Sequence, residues 1–192
     1  MKATLVAVLM LCLSAFAGDP KPILLTAEQL GELKAIAFQA AREGDIKTIG
    51  EYVKLGRPID ELNARGDTLL TIAAYHGQAK VVEILLKQPK IRVDTKNRMG
   101  LTALTAAAFK GYPEIGAMLV KGGADVNFAN DSGQTALMFA SMTGRTTMVD
   151  FLLKNKADAN AKDKEGNTAR KLAETQGATD VLKLLDKARP QP

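Results

Sequence analysis

Gly100-Leu-Thr-Ala-Leu-Thr-Ala-Ala-Ala-Phe-Lys-Gly111 sets a threonine-opened, alanine-rich stretch between two glycines, and the same frame occurs three more times. Gly66-Asp-Thr-Leu-Leu-Thr-Ile-Ala-Ala-Tyr-His-Gly77 precedes it. Gly133-Gln-Thr-Ala-Leu-Met-Phe-Ala-Ser-Met-Thr-Gly144 and Gly166-Asn-Thr-Ala-Arg-Lys-Leu-Ala-Glu-Thr-Gln-Gly177 follow. The closing glycines, with Gly44, are spaced by 33, 34, 33 and 33 residues, and the opening ones by 34, 33 and 33. Two phased series with one period indicate a repeat architecture. In such a fold each unit is too thin to bury its apolar face alone and must stack on its neighbours.

The text between the glycines gives each half of the unit a physical role. Thr68, Thr102, Thr135 and Thr168 stand where a side-chain oxygen can take up the free N–H groups of a helix start. The alanines after them let helices approach closely. The glycine that closes the stretch suits a left-handed C-terminal cap. A second apolar stripe follows each time, from Val81-Val82 to Leu86, Ile115 to Val120, Met148-Val149 to Leu153 and Val181 to Leu185. Pro113 opens one of these second helices, where proline is tolerated. Asp- and Asn-rich segments such as Asp125 to Gly133 then turn the chain back.

This pattern resembles the ankyrin repeat over about residues 33–187, most closely at 100–127, where Gly122-Gly-Ala-Asp-Val-Asn127 is near the family's own text. The resemblance implies an all-α ankyrin-repeat solenoid of about five stacked helix-turn-helix repeats with hairpin-like turns. The expected units are an N-terminal cap at 33–65, repeats at 66–99, 100–132 and 133–165, and a C-terminal cap at 166–187. Two departures matter. The family's Pro-Leu-His reads Leu-Leu-Thr, Ala-Leu-Thr, Ala-Leu-Met and Ala-Arg-Lys, and losing the histidine predicts weaker coupling between repeats. Gln88-Pro-Lys-Ile-Arg92 is one residue longer than the usual turn and should bulge.

The ends differ from the middle. Met1-Lys2, an apolar run to Leu13 and Ser14-Ala15-Phe16-Ala17 read as a signal peptide over 1–17, cleaved after Ala17. The run is shorter than the roughly 20 residues of a spanning helix. The mature chain is therefore expected in the periplasm or secreted, without a stable membrane anchor. Cys12 lies inside this leader and makes a poor lipoprotein box, because Leu11 is not small. Residues 18–32 form an extension or short helix, in which Thr26-Ala-Glu-Gln29 is a capping box. Residues 188–192 are a tail.

Composition argues against chemistry. With Cys12 removed no thiol remains, and His76 is the single histidine. Asp125-Val-Asn127 and Asp158-Ala-Asn160 lack the remaining ligands of a calcium loop. Neither Ser132 nor Ser141 sits in a nucleophile elbow. No enzyme, metal or cofactor is expected. The 26 basic and 21 acidic side chains give a formal charge of +5, which fits an acidic partner better than nucleic acid.

In ankyrin proteins partners meet the turn tips and the exposed end of each first helix, so the resemblance implies a protein partner and a monomeric chain. Carried onto this sequence, it selects Arg42, Tyr75, Phe109 and Met142 as one stripe. His76 and Lys110 lie on the next, between Glu43 and Thr143, and Arg65, Arg98, Met99 and Leu101 occupy the tips. Tyr75, Phe109 and Met142 would form a ridge flanked by Arg65, Arg98 and Lys110, the aromatic-and-arginine chemistry of binding hot spots. The alternative is that these three pack down as core. Lys87, Lys90, Arg92, Lys96 and Arg98 form a basic stretch opposed by Asp94. Within this class the expected roles are assistance to a periplasmic enzyme or stress defence, or inhibition of a secreted toxin in the manner of an immunity protein. An enzymatic or ligand-binding activity grafted onto the repeats would need an insertion or a cluster of ionisable groups that the sequence lacks.

Overall fold

The computed structural model describes residues 26–188, so the expected leader and the last four residues of the tail lie outside it. Ten helices follow one another in this stretch. They are α1 (Ala27–Glu43), α2 (Ile46–Lys54), α3 (Leu69–Tyr75), α4 (Ala79–Leu86), α5 (Ala103–Lys110), α6 (Pro113–Lys121), α7 (Ala136–Met142), α8 (Thr146–Lys154), α9 (Ala169–Thr175) and α10 (Thr179–Lys187). Odd-numbered helices stack in one row and even-numbered helices in a second, each pair forming one layer. This is the five-layer all-α solenoid the sequence predicts.

Helix starts follow the threonines. Thr68, Thr102, Thr135 and Thr168 have extended backbones, and each hydroxyl accepts from the N–H three residues on, at 3.0–3.4 Å. Thr26 and Gln29 form the reciprocal capping box. The helix they open is not short, however. It runs unbroken for 17 residues into the first repeat, so no boundary falls at residues 32–33. Nothing between Gln29 and Gly44 interrupts it. Gly31 is exposed with open space around it, Leu33 is buried, and Lys34 meets Glu61 at 3.5 Å.

The first row is tight because it is small. Ala40, Ala41, Ala73, Ala74, Ala107, Ala108, Ala140 and Ala173 are all buried. The second row supplies bulk through Ile49, Leu85, Leu119, Leu152 and Leu185. Fully burying a side chain of that size contributes about 1.5–3 kcal/mol. The opening glycines do two jobs. Gly100 has φ +77°, and a Cβ there would lie 2.9 Å from Cβ of Asn130 in the next turn. Any larger residue would both strain the backbone and push the layers apart.

A second set of contacts joins the layers where the family's histidine does not. Carboxylates or amides at one register position accept the backbone N–H of the following repeat. Asp60 accepts from Arg92 at 3.3 Å, Asp94 from Asp125 at 3.0 Å and Asn127 from Asp158 at 2.8 Å. The Gln78 amide also donates to the Arg42 carbonyl, and the Thr143 hydroxyl and Arg145 Nε donate to that of Phe109. The threonines that replace histidine at 71 and 105 instead bond within their own helix start. The extra residue of the long turn is taken up at the end of α4, where the Gln88 side chain donates to the Ile84 carbonyl. The chain returns to register at Lys90, whose positive φ of 63° matches Gly123 and Lys156 in the next two repeats.

Asp94 is the imperfect member of the coupling series. One carboxylate oxygen accepts from Asp125, while Oδ1 is buried without a partner. Burial pushes its carboxyl above the ordinary value near 3.8 despite that hydrogen bond, and the charge of Asp125 adds to the push. Asn127, one repeat later, avoids the problem by donating its amide to the Lys156 carbonyl at 3.2 Å. Asp94→Asn should therefore raise stability at pH 7 by about 1 kcal/mol. With the folded pKa raised, the penalty exists above that pKa and fades as pH falls toward 3.8. Thermal unfolding of both proteins at pH 7 and pH 4 checks this, and the gap should narrow at the lower pH.

Candidate partner-binding face

Four turns project beyond the helix layers, each built on one side chain. Oδ1 of Asn63 accepts from the N–H groups of Arg65 and Asp67, and that of Asn97 from Met99 and Leu101. Asn130 does the same for Ser132 and Gln134, and Asp163 for Glu165 and Asn167, all at 2.7–3.0 Å. Each turn closes with a backbone pair, such as Asn97 N–H to the Leu101 carbonyl and Gly100 N–H to the Asn97 carbonyl. These are hairpin-like turns held by an Asx clamp. The tip positions that the family resemblance selects do not include Asn63, Asn97, Asn130 or Asp163. The signal was present, since they sit three residues before each opening glycine and share its period.

The clamps also fix the tips against one another. The Asn97 amide donates to Asp67 at 2.6 Å, and the Arg98 N–H to the Arg65 carbonyl at 3.1 Å. Arg65 and Arg98 therefore lie side by side on adjacent turns, both exposed. Met99 projects with 73% of its surface open, whereas Leu101 is half-buried.

Along the helix ends, Tyr75, Phe109 and Met142 occupy matching positions on α3, α5 and α7, and all three are half-buried. None belongs to the core cluster, which takes in their alanine neighbours. The Tyr75 and Phe109 rings stack, with centroids 6.4 Å apart and planes 13° from parallel. Lys110 places its ammonium 5.1 Å from the Tyr75 centroid, and His76 meets the same ring edge-on at 5.2 Å. Such aromatic and cation–π pairs contribute about 0.5–1.5 kcal/mol each.

His76 is exposed. Partial desolvation, then the charges of Arg42 and Lys110, hold its imidazole below the ordinary value near 6.5. Arg42, on the last turn of α1, is exposed beside it, and Glu43 is engaged by the Gln39 amide. The basic stretch at 87–98 is different. Lys87 pairs with Glu83, Arg92 with Asp60 and Lys96 with Asp131, so most of its charge is matched. Among the described residues no group of three His, Cys, Asp or Glu side chains converges as a metal site would require. No helix among them is long and apolar enough to cross a membrane.

Comparison with known proteins matches this architecture. One family profile, ankyrin repeats in three copies, matches residues 37–130, and a second, ankyrin repeats in many copies, matches 118–173. Human ankyrin repeat and KH domain-containing protein 1 is 39% identical over 67 residues, 35% of this chain and 3% of its own length. Bovine ankyrin repeat and SOCS box protein 3 is 32% identical over 90 residues, 46% of this chain and 17% of its own. Mouse protein phosphatase 1 regulatory subunit 27 is 30% identical over 91 residues, 47% of this chain and 58% of its own. The chain thus covers only a small part of the first two relatives.

The clamp that presents Arg98 and Met99 can be tested by itself. Asn97→Ala removes the side-chain acceptor of two backbone N–H groups and the donor to Asp67 from a buried position. Unfolding free energy should fall by about 2–3 kcal/mol, read by urea denaturation. Hydrogen exchange at the Met99 and Leu101 amides should accelerate more than at the helix amides. Uniform acceleration would assign the residue a general role in the core.

Proposed function

This chain belongs to the ankyrin-repeat family, and we propose that it is an exported, non-catalytic scaffold that captures one partner protein through the face described above. Ankyrin repeats form a protein–protein interaction scaffold, and the family is typically non-catalytic. The observation that carries the finer reading is the stacked Tyr75–Phe109 pair, capped by Lys110 and left outside the core at the end of successive helices. Rings held rigid before binding lose little conformational entropy when a partner covers them. Arg42, His76 and Met142 extend the same surface along the helix ends, and Arg65, Arg98, Met99 and Leu101 present the neighbouring turn tips.

Export rests on the leader pattern of residues 1–17, and places the scaffold in the periplasm or outside the cell. There it assists a resident enzyme or takes part in stress defence. One relative, by its name a regulatory subunit of protein phosphatase 1, is consistent with repeats that act through another protein.

Two measurements bear on this. Material recovered from the exported fraction should begin at Gly18 by intact mass, and a mature chain that keeps residues 1–17 defeats the export reading. Tagged protein should retain one predominant protein from a periplasmic extract. The double variant Tyr75→Ala/Phe109→Ala should retain at least about tenfold less, as for loss of a hot spot. Its melting temperature should drop by about 5–10 °C, as for loss of these surface pairs alone. A much larger drop assigns both rings to the core and removes the proposed face.

A further inference from the structure

We propose that the occupant of this face is an acidic protein segment carrying an aromatic side chain, and that His76 tightens its capture in mildly acidic medium. The inference rests on the binding face described above and specifies what fills it.

The first observation is charge left unmatched. Arg42, Arg65, Arg98 and Lys110 all lie on the first three layers of this face, and among the described residues none forms an ion pair with a carboxylate. The neighbouring cations Lys87, Arg92 and Lys96 each have one. The nearest carboxylate in register, Glu43, is already bonded to Gln39. A surface with four cations at the tips and helix ends and one exposed carboxylate, Glu43, keeps a net positive charge and is complementary to an anionic segment.

The second observation is the aromatic pair between those cations. Tyr75 and Phe109 lie nearly parallel, and Met142 follows at the same position on the next helix. Such a surface accepts an apolar or aromatic side chain by contact area, while the flanking cations take the carboxylates beside it. The character then changes along the stack. The matching positions of the last layer hold Thr175 and Gln176, which are exposed and small or neutral. The footprint therefore covers the first four layers, with its cations on the first three, and fades at the fifth.

The pH dependence follows from what surrounds His76. Packed against α3, helix α1 presents Arg42 and Glu43, and helix α5 presents Lys110. Helix α4 lies in the second row with Lys80 and Glu83 exposed there, and Tyr75 is the remaining titratable neighbour on α3 itself. Partial desolvation, and then the two cations beside it, make the free imidazole resist protonation. Carboxylates of a bound segment would neutralise those cations and favour the imidazolium. Binding would thus raise the His76 pKa, so affinity grows as pH falls through the bound value and levels off below the free one. Stability of the unbound protein moves the other way, because its folded pKa is lowered and protonation below pH 6.5 opposes folding.

The test uses the mature chain and labelled, end-blocked heptapeptides read by fluorescence anisotropy. One has a phenylalanine between two runs of three glutamates. Others replace the glutamates by glutamine or lysine, and a single-stranded DNA of similar charge is the polyanion control. The acidic peptide should bind saturably, with Kd falling roughly three- to tenfold between pH 7.5 and 5.5. His76→Gln should lose the pH dependence, its Kd ratio between pH 7.5 and 5.5 falling to about one whatever its affinity at pH 7.5, because a neutral side chain replaces a titrating one. Arg42→Ala and Tyr75→Ala should each weaken binding at both pH values. Equal binding of the glutamine or lysine peptide, equal binding of the DNA, or a flat pH profile in the parent protein overturns the proposal. If the acidic peptide fails while partner capture still depends on Tyr75 and Phe109, this inference falls and the binding face stands. If capture also fails to depend on them, the face itself is wrong.

Discussion

The backbone N–H of one repeat, bonded to a side-chain oxygen of the repeat before it, is the contact on which the rest of this molecule depends. A layer of two short helices buries too little to fold alone, and helices of seven to nine residues are marginal in water. Apolar stacking supplies most of the free energy but is non-directional, so it would tolerate sliding between layers. Asp60, Asp94 and Asn127 remove that freedom because a hydrogen bond fixes distance and direction together. The Asx clamps, three residues further along the same loops, do the same, with the Asn97 amide donating to Asp67. Register at the proposed binding face is set by these oxygens, several residues away from it.

Alanine makes the face possible. The odd-numbered helices approach closely because Ala73, Ala74, Ala107 and Ala108 occupy the contact, and close approach brings the residue after each alanine pair within reach of its counterpart. Tyr75 and Phe109 stack because their helices are spaced for alanine. With leucines at the contact the axes would move apart and each ring would stand alone. One flaw shows how exacting this row is. Ser141 takes the place held by Ala74 and Ala108, and its hydroxyl is fully buried without a partner. Such a group costs about 1–3 kcal/mol, which the longer-range stacking offsets.

Much of the scaffold was legible from residue types with one dominant physical use. Glycine at positive φ, threonine before a helix and the Thr26–Gln29 box each specify local geometry almost independently of context. What was not legible depended on partners distant in sequence. The basic stretch at 87–98 looks like an exposed patch until folding brings Asp60 and Asp131 to Arg92 and Lys96. The lost histidine predicts loose layers, because the replacement bonds come from Asn and Asp side chains that read only as turn formers. The break expected before residue 33 reflected a repeat boundary, whereas a helix ends only where caps or packing require it. The repeat period alone aligns Tyr75, Phe109 and Met142 in one register, but the half-buried, stacked state of Tyr75 and Phe109 depends on the helix spacing.

Unpaired cations occur elsewhere on the described surface, but on the proposed face they flank a stacked aromatic pair. Pairing Arg42 or Lys110 with an added carboxylate would change stability by less than about 1 kcal/mol, since exposed ion pairs contribute little. The fold therefore gains almost nothing by matching them and loses almost nothing by leaving them free. For association the balance is different. A carboxylate already seated beside Arg42 would have to be displaced by any acidic partner, and the same small energy would be subtracted from binding at each site. Several such subtractions would compound, because each factor of ten in affinity is only about 1.4 kcal/mol. An arrangement neutral for folding can thus be decisive for capture. The aromatic pair follows the same logic, since rings packed into the core would stabilise the layer while removing the surface a partner could cover.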